Sequence, residues 1–150
     1  MIVDHREVID PLITDVMNGG RLDLIDDLYT PALAGAARAW IAPFLESFSD
    51  LDMRLVEVLS DGDRAAARFS CSGTHTGTWQ GHPPTGRRFT RVAEVCFFRF
   101  ENGRIAQAWG LEDNLTRMRH LGLLEPPVPR MSAAERRRGS GTCLDARPAG

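Results

Sequence analysis

The 150 residues include no lysine; all 18 basic side chains are arginine, a bias that fits the codon usage of a GC-rich genome. Cysteine is scarce: Cys71, Cys96 and Cys143 are odd in number and far apart, so they form neither a disulfide framework nor a zinc-binding pattern. A reducing, cytoplasmic compartment is the expectation. No stretch approaches the roughly 20 apolar residues of a membrane span. The opening MIVDHREVID carries acids and no apolar run, which is unlike a signal peptide. The net charge of −2 is too close to balance to suggest a nucleic-acid partner. The four histidines stand at separations that match no metal motif, so no metal is expected.

What remains is ordinary globular composition, 43% apolar and 25% charged. Helical periodicity comes first. Asp4 and Glu7 have capping-box spacing ahead of Val8, Ile9, Leu12, Ile13, Val16 and Met17, and Asn18-Gly19-Gly20 supplies a stop. Pro11 either kinks this helix or starts a shorter one. A short helix over 22–29 ends at Thr30-Pro31, and a third over 35–48 carries Trp40, Phe44 and Phe48 at a spacing of four.

From Leu51 the period changes to two. Leu51, Met53, Leu55 and Val58 mark a strand, and Asp61-Gly62-Asp63 a hairpin turn. Over 64–74 one face bears Ala65, Ala67, Phe69, Cys71 and Gly73, with His75 next in phase. A connection rich in Gly and Pro leads to a long strand over 87–100, and Glu101-Asn102-Gly103 turns into a last strand from Arg104 to about Leu111. Asp113 precedes a final helix of Leu115, Met118 and Leu121. After about Glu125 periodicity disappears, and residues 126–150 read as a disordered tail to one domain of 1–125. Helices followed by an antiparallel meander predict an α+β architecture. Long strands of a twisted sheet curl, and helices can close the open side around an internal pocket.

The segments DGDRAAARFSCSGTHTG, GHPPTGRRF, FFRFENGRIAQAWGLED and NLTRMRHLGLL, in this order, resemble the SnoaL-like polyketide cyclases of the NTF2-like superfamily. The likeness runs from about Glu7 to Leu124. It implies a cone-shaped α+β fold, a homo-oligomer (a dimer above all), no metal and no organic cofactor. The implied partner is an aromatic polyketide or another planar apolar small molecule, with no nucleic acid and no membrane. The implied activity is intramolecular aldol cyclisation. Related proteins hydroxylate such polyketides without a cofactor, and a non-catalytic binding protein is the third alternative. The family's acid/base aspartate follows the tryptophan of the last strand, which carries that role to Asp113 in Trp109-Gly110-Leu111-Glu112-Asp113. Where many members have a histidine before that tryptophan, this chain has Ala108.

Each candidate has a structural reading beside the functional one. Asp113 can be an N-cap, or a carboxyl buried in the pocket with a raised pKa. His75 can order the turn behind it, or act as a second proton-transfer group. Glu94 shares its phase with Val92, Cys96, Phe98 and Phe100, and enters the pocket unless a bulge reverses that phase. Trp40, Phe44, Phe69, Cys71, Phe98 and Trp109 are core residues that, in a cone, also wall the pocket and could contact a planar substrate.

Overall fold

Gly62, at φ +57, lets the Asp61–Arg64 turn close a hairpin between β1 (Asp52–Asp61) and β2 (Arg64–Thr74). β3 (Arg88–Glu101) and β4 (Arg104–Glu112) extend it to a four-stranded antiparallel sheet in the order β1-β2-β3-β4. The computed structural model describes residues 4–124 and 132–134. The tail expected over 126–150, with Cys143, lies outside the described residues apart from 132–134. Among the described residues no helix is long and apolar enough to cross a membrane.

Three irregularities set which side chains face inward. On β1 the register shifts between Leu55 and Glu57, which leaves Val56 outside and returns Val58 to the inner phase. On β3, Arg91 adopts φ +52 where pairing with β2 slips, so Phe89 and Val92, three positions apart, both point inward. From Val92 the alternation holds through Glu94, Cys96 and Phe98. The bulge therefore lies ahead of Glu94 and does not turn it outward. The third shift, where Arg99 pairs with Gln107 but Phe100 with Ile105, falls on β4 and turns Ile105 inward; the buried Phe100 ring opposite stacks on His5 at 4.0 Å.

Four helices cover the inner face. α1 (Arg6–Pro11) begins after His5, while Asp4, one residue earlier, accepts from the Arg6 N–H at 3.0 Å; the Asp4–Glu7 capping box does not form. Pro11 is the last residue of α1, and the chain stays helical beyond it. Pro11 has no N–H, and the ladder behind it widens into a π-turn over Leu12–Met17. Asn18 then bridges to the sheet, its amide exchanging bonds of 2.8 and 2.7 Å with the Met53 backbone. A 3₁₀ turn (Leu22–Leu24) leads into α2 (Ile25–Leu28). α3 (Pro31–Ser47) starts four residues earlier than expected, because Pro31 suits a first helical position. Between α3 and the 75–87 connection sits Ser47, whose carbonyl accepts from the Thr76 and Gly77 N–H groups at 3.0 and 3.1 Å. Gly77 is needed there, since a Cβ would stand 2.3 Å from the Glu46 carbonyl oxygen.

α4 (Asn114–His120) closes the end of the sheet, but its inner face differs from the expected one. Leu115 is exposed and Arg117 is fully buried. Inside the fold Arg117 meets carboxylates, which outweigh the small loss from leaving one leucine wet.

Candidate active site

The helices and the inner face of the sheet enclose a cavity of about 760 Å³. That is within the usual size for a small-molecule site. Its helical wall includes Leu12, Ile13, Leu33, Ala37 and Phe44, and its sheet wall includes Met53, Phe69, Cys96 and Phe98. Trp40 stands at the mouth, 56% exposed, with its ring parallel to Phe44 at 6.0 Å. Trp79 completes the rim from the 75–87 connection.

The charged lining residues are Glu94 and Glu112. Arg117 lies behind them. It donates to Glu94, to Glu112 at 2.6 Å and to the Asn114 side-chain oxygen. Its guanidinium also rests against the rings of Phe89 (4.8 Å), Phe44 (5.3 Å) and Trp79 (5.8 Å). Two carboxylates thus share one cation in an apolar wall. Burial, then the neighbouring Glu112 charge, raises the Glu94 pKa to about 7, against the opposing pull of Arg117. Burial pushes the Cys71 thiol up as well, and lifts Cys96 to about 12.

The expected site residues divide. Trp40, Phe44, Phe69, Glu94 and Phe98 line the cavity together. Cys71 is fully buried against Glu94 and is not part of the cavity lining, so the expectation that it contacts a substrate is corrected. Trp109 is on the opposite face of the sheet, 62% exposed and paired with Phe97, because strand alternation sends Trp109 outward and its neighbours Ala108 and Gly110 inward. The expectation that it contacts a substrate in the cavity is corrected.

Asp113 does not meet the conditions set for a pocket acid. It is exposed, its Oδ1 accepts from the Thr116 N–H at 3.0 Å, and hydrogen bonding from Thr116 holds its carboxyl below the usual range. This is an N-cap. His75 is buried outside the cavity lining. Its Nδ1 accepts from the Thr85 N–H at 3.2 Å, which ties the two ends of the connection together. Sequence reasoning missed Glu112 and Arg117. The available signal was an arginine three residues after Asn114, in phase with Leu121. Among the described residues no group of three or more His, Cys, Asp or Glu is placed to hold a metal ion.

Comparison with known proteins agrees with this architecture. Aklanonic acid methyl ester cyclase DnrD of Streptomyces peucetius is 28% identical over 124 residues, 82% of each chain. The structure of TsrD from Streptomyces laurentii superposes with a TM-score of 0.71 at 30% identity, covering 79% of this chain and 95% of that one. AclR of Streptomyces galilaeus, a proposed hydroxylase, shares the fold with a TM-score of 0.74 at 22% identity, covering 87% of each chain. The family described as SnoaL-like polyketide cyclase matches residues 7–121. With its α+β fold of NTF2-like form, a curved open sheet closed by helices over an inner cavity, the chain belongs to the SnoaL-like polyketide cyclase family.

Proposed function

We propose that the protein is a cyclase of aromatic polyketide biosynthesis that closes a ring by intramolecular aldol condensation, with Glu94 as its acid/base group. The observation that carries this reading is a carboxyl, 5% exposed, set in the wall of an apolar cavity with a pKa near 7. Such a group can both take and return a proton at neutral pH. Glu94 removes the acidic proton beside a carbonyl. The carbanion carbon attacks a second carbonyl carbon of the same molecule, and the new alkoxide takes the proton back from Glu94. Arg117 fixes the carboxyl's position through α4. The apolar walls hold the chain folded for attack and keep water out.

The substrate is neutral. The cavity presents two carboxylates, and Arg117 is already engaged by both. The relative DnrD is named for a methyl ester, which has the same character. Cofactor-free hydroxylation begins with the same proton abstraction and then consumes oxygen, so oxygen uptake separates the two reactions. We also assign the outer sheet face, with Phe97, Trp109 and Leu59 exposed, to a homodimer contact.

The test is turnover of aklanonic acid methyl ester by wild type, Glu94→Gln and Asp113→Asn, with folding followed by circular dichroism. Loss in the first variant and retention in the second is expected. The reverse pattern returns the chemistry to Asp113, and uptake of oxygen with product identifies a hydroxylase.

A further inference from the structure

Tyr29 is held in place by its backbone. Its N–H donates to the Ile25 carbonyl at 2.9 Å, it pairs with Ile105 of β4 in an isolated parallel bridge, and the Thr30 N–H reaches the Ile105 carbonyl at 2.9 Å. The ring is thereby pinned between α2 and the sheet, 5% exposed, and it lines the cavity. No group among the described residues bonds its hydroxyl. Among the described residues the sealed side-chain N and O atoms without a partner are His75 Nε2 and Arg117 Nε; the tyrosine oxygen is not one of them, as expected for an atom that opens onto the cavity. A buried hydroxyl without a partner is costly unless something that enters the cavity supplies one.

The surroundings define what that is. The ionisable neighbour that acts on the Tyr29 hydroxyl is Cys96, two residues from Glu94 on the same inward run of β3. Tyr29, Cys96 and Glu94 line the same cavity, so a molecule that fills it meets both Glu94 and Tyr29. The hydroxyl stays protonated, because burial moves its titration far above neutrality. Of the other uncharged donors in the lining, the indole N–H groups of Trp40 and Trp79 belong to the mouth and rim, and the Asn114 amide is held beside Arg117, from which its oxygen accepts. The Ser47 hydroxyl lies between the Pro43 and Thr78 carbonyls at 2.8 and 2.7 Å, and Thr78 and Gln80 are exposed. A neutral acceptor beside α2, away from the rim and from Asn114, meets the Tyr29 hydroxyl as its donor.

We infer that Tyr29 is a substrate-binding residue whose phenolic hydroxyl donates a hydrogen bond to a ketone oxygen of a planar polycyclic substrate, setting the acidic carbon against Glu94. The inference rests on the proposed role of Glu94 for its orientation, and on the cavity alone for its chemistry.

The experiment compares 9-fluorenone with fluorene, a ketone and a hydrocarbon of the same outline. Binding to wild type and to Tyr29→Phe is followed by quenching of tryptophan fluorescence, since Trp40 and Trp79 both line the cavity. The variant is expected to weaken fluorenone binding roughly three- to tenfold and to leave fluorene within about twofold. The carbonyl stretch of fluorenone bound to wild type should lie below its value in alkane solvent, a measurement that does not depend on the variant folding. An unshifted stretch, equal losses for both compounds, no loss for either, or no binding of fluorenone by wild type overturns the inference. Failure of the Glu94 reading shows separately, as full turnover of aklanonic acid methyl ester by Glu94→Gln, whatever the fluorenone comparison gives.

Discussion

Arg117 on α4 donates to Glu94 on β3 across the inside of the fold, with side-chain exposures of 0% and 6%. A pair this deep is costly to form and more costly to break, because neither charge has water to return to. It also joins the last helix of the domain to the strand that carries the proposed acid/base group.

Removing the cation alone should therefore be severe. Arg117→Leu is expected to cost about 3–5 kcal/mol at pH 8, measured by urea denaturation. At pH 5 the cost should shrink, since Glu94 can then be neutralised by a proton. Equal loss at both pH values would mean that the carboxylates are not what Arg117 serves.

The raised pKa of Glu94 has a stability consequence of definite sign. The folded protein holds this proton up to about pH 7, while a free glutamate releases it near 4.5. The contribution of the group to stability is complete below pH 4.5 and is lost as pH rises through 7. Wild type should thus lose melting temperature relative to Glu94→Gln between pH 5 and pH 8. Activity runs the other way. The limb of kcat/KM that rises through neutrality should be present in wild type and missing from Glu94→Gln, whose turnover should be lower by roughly 10²–10⁴.

Asp113→Asn is expected to keep both fold and turnover, since asparagine caps as well as aspartate. Asp113→Ala should lower the melting temperature by a few degrees with turnover nearly intact. A hundredfold loss of kcat in folded Asp113→Asn would contradict the assignment of Asp113 as a cap.

The outer face can be tested without a substrate. Trp109→Arg places a charge where Phe97 and Trp109 meet at 5.8 Å. Sedimentation velocity should show wild type as a dimer and the variant shifted toward a 16.6 kDa monomer. A monomeric wild type at micromolar concentration would remove the dimer from the proposal.

Gly77→Ala should destabilise by about 1–3 kcal/mol, because the new methyl must displace the α3 backbone at Glu46. A melting curve unchanged from wild type would show that the connection can move aside.

Much of this was legible in the sequence. The two-residue period from Leu51, the glycine turns and the core-facing phase of β2 located the sheet, and the ordered motifs led to the family. Glu94 was placed in the correct phase, but whether a bulge intervened depended on Arg91 adopting a positive φ, which its residue type does not announce. The site was harder. An aspartate before a helix can cap or catalyse, and only the position of Asp113 relative to the cavity separates the two. Arg117 drew no reading from the sequence, since its burial depends on carboxylates brought from two strands by tertiary packing. Trp109 read as core because tryptophan usually is, whereas here the outward phase leaves it on the far face.

The cavity is built from two sources. Its charged groups come from β3, β4 and α4, while most of its shape comes from the N-terminal helices, where Leu12, Ile13, Leu33, Ala36, Ala37 and Trp40 touch none of the ionised groups by hydrogen bond. Selection can therefore alter one inventory and spare the other. Exchanging alanine for a bulkier residue on α3 would reshape the acceptable molecule with the proton-handling trio untouched. A lineage could in this way acquire new substrates one helix residue at a time, and a laboratory library confined to those helical positions would explore the same territory.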